Sequence, residues 1–327
     1  DDPSVAFLQG RWTYTNEHQS VLTRAQAILI DRHFVIQKPF QIDRGLTTTF
    51  NGSAGIWRRA AIDAVGGWSA DTLCEDLDLS YRCALAGLRG AYEKSLECPS
   101  EIPSSIIAFK LQQRRWAKGS AQCMRKLTRR IVESRTLRSR WDDLYSVVGY
   151  VIHPILFFYV LLWPWVVLQD VPAPVIAAGQ ICLTVANVIA ISGFLLTTID
   201  SQRRIGLGST RDVVFALALG MTLMVNDTVA FFVGCFERMS IFERTPKRGR
   251  AAGAVPSSSR LRLHWTIKIE IAFVVYMLWV GALLVDAGHA VHAVPCFMFG
   301  LGMAGMVLYQ FAERFSGSMA RFARAFG

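Results

Sequence analysis

The seven cysteines are an odd number, and no two stand as Cys-x-x-Cys. That excludes a zinc ribbon and a complete disulfide framework, and reduced thiols are the expectation. Asp1-Asp2-Pro3 lacks an initiator Met and a signal peptide, and Val5-Ala-Phe-Leu8 reads as a buried strand with no element before it. The expectation from this start is a fragment of a longer chain. Charge is scarce from Leu144 to Ile199, where Asp170 is the one charged residue. Acid is scarce from Lys110 to Arg140, where eleven Lys or Arg accompany only Glu133. The formal net charge is +10. Because so many of these cations flank apolar spans, anionic lipid headgroups are the expected partner and nucleic acid is not.

What is present divides the chain in two. Hydrophobic residues make up 52% of 327 and mean hydropathy is +0.31, with the excess after Leu144, so a globular first part precedes a membrane-embedded second part. Residues 144–169 and 171–199 are each long enough for a hydrocarbon core that takes about 20 residues. Their connection lacks Lys and Arg, whereas Arg203-Arg204 follows the second span, which puts the globular part on the cytosolic side. Val213 to Phe236 carries Asn226-Asp227 at its middle, and a crossing there would carry the basic loop 237–262 outside. The charge pattern therefore predicts an interfacial or re-entrant pair of short helices. Crossings at 267–285 and 294–311 bring the expected number to four and return the tail, with Arg314, Arg321 and Arg324, to the cytosol. Lys268 and Glu270 are expected among headgroups at the cytosolic end. His289 and His292 in the outer loop fall short of a metal site.

In the first part, apolar residues from Val21 to Ile36 recur at three- and four-residue steps, predicting an amphipathic helix over about 16–37 that Pro39 stops. Phe50-Asn51-Gly52-Ser53-Ala54-Gly55-Ile56-Trp57 reads as a turn whose glycines allow close backbone approach. A brief helix follows, ended by Gly66-Gly67. Asp71 or Thr72 is expected to cap a helix over about 75–86 that opens with Glu75, Asp76 and Asp78. Acids in a first turn suit the helix dipole without any function, but four in eight residues exceed what capping requires. A strand over about 89–98 and a long helix from Ser104 come next. On that helix Gln112, Arg115 and Trp116 stand at i, i+3 and i+4 and share a face. Its basic continuation is expected to lie along an anionic leaflet.

A carboxylate that takes a proton, paired with guanidinium groups that hold an anion, suits displacement of a charged leaving group. An indole face suits the apolar face of a pyranose. Phe50-Asn51-Gly52-Ser53, Gly66-Gly67-Trp68, Cys74-Glu75-Asp76 and Gln112-Gln113-Arg114-Arg115-Trp116, in this order before membrane helices, resemble the processive membrane glycosyltransferases of family 2. The pattern is most similar to the cellulose-synthase-like enzymes that make β-mannan and glucomannan and to their bacterial relatives. Phe242-Glu-Arg-Thr245-Pro-Lys247 is similar to the gating-loop motif of cellulose synthases.

The resemblance implies an α/β fold: residues 1–103 as the C-terminal part of a cytosolic GT-A-type catalytic domain, 104–143 as the Gln-x-x-Arg-Trp helix with its basic interfacial region, and 144–327 as an α-helical transmembrane domain with a gating-type loop at 237–262. It implies an inverting transfer of a hexose from a UDP- or GDP-sugar to a β-linked glycan, coupled to translocation through what is expected to be a bacterial inner membrane. The alternative is a single transfer to a membrane lipid. Asp76 would be the general base and Glu75 its support. Gln112 and Arg115 would meet the pyrophosphate, Trp116 the acceptor sugar, Gly52 and Ser53 the acceptor site, and Thr245 and Lys247 would close over the nucleotide. Mg²⁺ or Mn²⁺ is implied, on an Asp-x-Asp expected upstream of this chain. Cys74 stands where the family usually has Thr.

Overall fold

The computed structural model describes residues 2–134, 140–169, 210–237 and 263–326 (backbone alone after 315), with isolated positions between 174 and 203 and at 241, 242 and 245. The expected span 171–199 lies largely outside the described residues, as does most of the loop 237–262, Lys247 included.

Three strands form the sheet: β1 (Val5–Tyr14), β2 (Gly55–Trp57) and β3 (Arg89–Ser100). β1 is central, antiparallel to β2 and parallel to β3. Its apolar side chains Ala6 and Phe7 pack with Phe50, Ala61, Leu79 and Cys83. Gln9 is also fully buried on this strand, and its amide is consumed by the turn that leads into β2, as described below.

Helix α1 (Val21–Arg32) starts on a capping box in which Ser20 and Thr23 exchange bonds. Pro39 does not stop the helical path. A π-helical turn over His33–Gln37 leads into α2 (Lys38–Asp43), with the proline in its first turn. Within the π turn the Lys38 N–H reaches back five residues to the His33 carbonyl. Pro39 has no N–H to offer Phe34 in the same pattern, and the Tyr92 hydroxyl donates to that carbonyl instead, at 2.6 Å. A tertiary donor thus replaces the missing one, which sequence periodicity could not anticipate.

Next come α3 (Arg59–Ala64), closed by Gly66 and Gly67 at positive φ, and α4 (Glu75–Leu85). The cap of α4 differs from expectation: Cys74 occupies the position, and no side chain caps it. Asp71 accepts instead from Ser69 and from Lys126. Helix α5 (Ile106–Glu133) spans 28 residues, about 42 Å at 1.5 Å per residue.

The second part holds α6 (Arg140–Val148), α7 (Ile152–Leu168), α8 (Thr210–Phe236), α9 (Thr266–Asp286) and α10 (Ala290–Phe326). Among the described residues, four helical stretches are long and apolar enough to cross a membrane: 140–168, 212–236, 266–286 and 290–315. This set differs from the one expected, because it includes 212–236. The expected pair of short helices is one uninterrupted helix, α8. Asn226 and Asp227 do not break it because protein, not lipid, faces them. Asn226 accepts from Arg114 at 3.0 Å and donates to the Lys110 carbonyl at 3.1 Å. His153 on α7 lies 3.5 Å from Asp227.

Two further expectations are corrected by α5. Glu270 is fully buried rather than set among headgroups, and it pairs with Lys110, itself 5% exposed. Gln310 on α10 accepts from Lys110 at 3.1 Å and donates to Glu270 at 3.0 Å, closing the cluster. Part of the basic run is likewise engaged by protein, while Arg129 and Arg130 stay exposed. Lys118 pairs with Glu237, Arg125 donates to the Cys235 carbonyl, and Lys126 pairs with Asp71 and Asp78. The physical reason is packing: α5 lies between α4, α6 and α8, so its cations find protein acceptors within reach.

Candidate active site

The site forms where the turn 50–54 meets the start of α4. Gly52 has φ of +72° and Ala54 +64°, a left-handed path that bends the chain back over Asp76. A methyl group placed on Gly52 would stand 3.3 Å from Asp76 Oδ2. Any side chain there would cover the carboxylate, so glycine leaves this oxygen open. Ser80 holds the turn from α4, accepting from the Phe50 N–H at 2.9 Å and donating to the Asp76 carbonyl at 2.6 Å. Gln9 holds it from β1, accepting from the Asn51 N–H at 2.9 Å and donating to the Ser53 and Ala54 carbonyls at 3.0 Å. The buried glutamine is satisfied at both ends, as a buried amide requires.

The acidic cluster divides by its partners. Asp78 is fully buried between Arg82 and Lys126, each at 2.8 Å, and Asp71 bonds Lys126 at 2.9 Å. Those two acids are structural. Among the described residues no ion pair engages Glu75 or Asp76. Asp76 Oδ1 accepts from the Leu77 N–H at 2.8 Å. Burial pushes the Asp76 carboxyl up to about 6, and the neighbouring Glu75 charge adds to the rise, while the Leu77 N–H and the Lys38 ammonium oppose it.

Helix α5 backs directly onto this corner. The Cys74 thiol donates to the Trp116 carbonyl at 3.8 Å, Cys123 donates to the Cys74 carbonyl at 3.6 Å, and Gln122 accepts from the Leu73 N–H at 2.8 Å. A side chain on Gly119 would run into the Cys74 sulfur and stand 2.8 Å from its backbone nitrogen, so the close approach of α4 to α5 depends on that glycine. Burial pushes the Cys74 thiol well above its usual value, leaving it a neutral donor.

Helical spacing then sorts the Gln112–Trp116 stretch. Gln113 accepts from Tyr150 at 3.3 Å and Arg114 donates to Asn226, so these two face the membrane helices. Gln112 is buried with its side-chain oxygen unpartnered. The Arg115 guanidinium lies in the field of Cys74, Glu75 and Asp76 and sits 4.3 Å from the ring centre of Phe242, a cation–π distance.

The structure therefore brings Gly52, Glu75, Asp76 and Arg115 to one corner, with the Trp116 backbone carbonyl at its edge. Ser53 is exposed on its rim. Thr245 is buried with its hydroxyl unpartnered, while Phe242, from the same motif, reaches Arg115. Among the described residues no three His, Cys, Asp or Glu side chains are grouped to hold a metal ion.

Sequence reasoning missed Lys38 and His33. Lys38 is fully buried and donates to Thr48 Oγ1 at 3.1 Å and to the Thr49 carbonyl. His33 Nε2 lies 3.3 Å from Asn51 Nδ2. The available signal was a lysine at the i+3 and i+4 positions from the apolar Val35 and Phe34, on what should be a core face.

Residues 1–196 match the family described as Glycosyl transferase family group 2. Probable glucomannan 4-beta-mannosyltransferase 15 of Arabidopsis thaliana is 29% identical over 324 residues, 95% of this chain and 55% of its own. Glucomannan 4-beta-mannosyltransferase 2 of the same plant is 31% identical over 244 residues, 72% of this chain and 43% of its own. Probable glucomannan 4-beta-mannosyltransferase 9 of Oryza sativa subsp. japonica is 27% identical over 330 residues, 94% of this chain and 60% of its own. The chain spans about half the length of the curated relatives it matches.

Proposed function

The chain belongs to glycosyl transferase family group 2, and we propose that its site serves an inverting transfer of a hexose from a nucleotide-diphosphate sugar to the growing end of a β-linked glycan. Mannose is the hexose that the relatives' names carry. The observation behind the reading is the half-buried Asp76 carboxylate, free of any ion pair among the described residues and left open by Gly52.

In this mechanism the acceptor hydroxyl lies against Asp76 Oδ2. As its oxygen attacks the anomeric carbon, the proton passes to Asp76 and the bond from that carbon to the phosphate oxygen breaks. The nucleoside diphosphate departs with the electron pair, and one displacement inverts the centre. Burial helps here: a carboxyl raised to about 6 is ionised at neutral pH yet more basic than an exposed one, and such proton transfer is worth roughly 10²–10⁴-fold. Arg115 and Gln112 receive the diphosphate, a role suited to a guanidinium's paired donors. Trp116 stacks on the acceptor sugar. Gly52 and Ser53 line its site, Glu75 supports the base, and Thr245 with Lys247 closes over the donor. A divalent cation, when bound, would neutralise charge on the diphosphate; the steps assigned here belong to the chain's own residues.

The charge pattern supports a cytosolic catalytic part, with the product leaving through the membrane helices. If residues 213–236 lie in the interface rather than crossing, reporter fusions after Gln169 and after Arg250 are expected on opposite faces, and finding them on one face would overturn the interfacial placement. The function is tested by supplying membranes containing the protein with labelled UDP- and GDP-hexoses. The expected product is a polymer cleaved by a β-mannanase. A single sugar attached to lipid, without chain growth, would overturn the polymer reading.

A further inference from the structure

We propose that Lys38 is a positioning residue for this reaction: from beneath the 48–53 segment it seats Gly52 against Asp76 and supplies the positive field that keeps this carboxylate ionised. The inference rests on the reading of Asp76 as the base.

The geometry has two parts. First, Lys38 anchors the segment that shapes the site. Its ammonium group donates to Thr48 Oγ1 at 3.1 Å, to the Thr49 carbonyl and, more weakly, to Thr49 Oγ1 at 3.4 Å. Thr48 is itself buried. Immediately downstream, Phe50 is held by Ser80, Asn51 by Gln9, and Gly52 faces Asp76. The segment is thus fixed from α2, β1 and α4, and Lys38 supplies the α2 contact. Second, a buried lysine normally carries a direct carboxylate partner. Among the described residues no ion pair engages Lys38; its contacts are hydroxyls and a carbonyl, and the one carboxylate in its field is Asp76.

The charged and titratable groups around this pair are few. Glu75 on α4 and Lys38 on α2 act on Asp76, and Asp76 acts in turn on Arg115 and Cys123 of α5 and on the Cys74 thiol at the head of α4. His33 and Asp76 act on Lys38 or respond to it. His33 does not compete as a cation, because burial and the Lys38 charge push it down to about 4. With Nε2 facing the Asn51 side-chain amide it accepts there, so its Nδ1–H donates to Gln37 at 2.9 Å. Burial lowers Lys38 to about 7 while it raises Asp76 to about 6. On the acid side of neutrality Lys38 is protonated as Asp76 ionises, so its charge acts where the base is switched on.

The test uses the full chain in membranes and reads kcat/KM for the nucleotide sugar against pH. Lys38→Gln keeps a donor for the Thr49 carbonyl and removes the charge. Loss of a nearby positive charge favours the protonated acid, so the acid limb should move up by about one pH unit, with donor KM unchanged within about twofold. Lys38→Arg retains the charge and should leave the limb in place. A limb that stays put in Lys38→Gln, in protein with native thermal unfolding, overturns the inference, as does an equal shift in Lys38→Arg. If Lys38→Gln does not accumulate, Thr48→Val, which breaks the anchor and keeps the charge, should lower kcat with the limb unmoved; unchanged kcat or a shifted limb overturns the inference. Asp76→Asn separates the two readings: retained transfer removes the base assignment itself, whereas an inactive Asp76→Asn beside an unmoved Lys38→Gln limb removes only the role of Lys38.

Discussion

Two buried lysines, Lys110 and Lys38, show two uses of the same side chain. Lys110 meets Glu270 directly, and Gln310 bonds both. Its charge is consumed, and the result joins α5 to two membrane helices. Lys38 rests on threonine oxygens and acts on Asp76 only through space. A carboxylate in contact with a lysine has its lone pairs committed, whereas one that feels the charge without contact keeps an oxygen for a substrate. The difference separates an acid that holds the molecule together from one that can take a proton.

The sharpest way to break this comparison is to neutralise each acid. Asp76→Asn should reduce sugar transfer by about 10²–10⁴-fold with unchanged thermal unfolding, measured on detergent-solubilised protein. Glu270→Leu should do the reverse in kind, destabilising by about 3–5 kcal/mol because Lys110 is left buried and unpaired. The double variant Lys110→Met/Glu270→Leu should recover most of that loss. If Glu270→Leu unfolds like the parent, the two lysines are not different in the way described.

A smaller effect is expected where α4 meets α5. Gly119→Ala should cost about 1–3 kcal/mol by overpacking against Cys74 and should lower kcat through displacement of Asp76 from Arg115. Smaller again is the pH effect in the unaltered protein. Asp76 must be ionised to accept a proton, and burial raises its carboxyl to about 6. The kcat/KM profile should therefore be flat above this value and fall about tenfold per unit below it; a limb near 4 would place Asp76 in an exposed setting. At the bottom of the scale, Arg59 pairs with Asp63 on the exposed surface, and Arg59→Ala should change stability by less than about 1 kcal/mol.

Much of the architecture was legible because it is written in local period. The strand at Val5, the helix at Glu75, the long helix after Ser104 and the apolar helices at 266–286 and 290–315 all follow from spacing and hydropathy. What escaped was set by partners distant in sequence. Asp78 and Asp76 look alike in Glu75-Asp76-Leu77-Asp78, and only Lys126 and Arg82 on one side, and Gly52 on the other, tell them apart. Pro39 read as a stop because nothing local offers the donor that Tyr92 provides. The pair of short helices over 213–236 was inferred from the charge of the loop that follows, which carries no sign of the Arg114 and Lys110 contacts that meet Asn226 within one continuous helix. The corner formed by Gly52, Glu75, Asp76 and Arg115 was readable as a set of motifs, whereas Lys38 offered only its register with the apolar Phe34 and Val35, which does not reveal that it serves Thr48 and Thr49.

The cluster on α5 also sets an order of events during synthesis. Lys110 leaves the ribosome 160 residues before Glu270 and 200 before Gln310, a delay of roughly 10–40 s at ~5–20 residues per second. Throughout that interval the most basic helix in the chain exists without the acid it will be buried against. The side of α5 that carries Lys110 therefore stays uncovered until α9 and α10 have been made, so this contact closes late in synthesis.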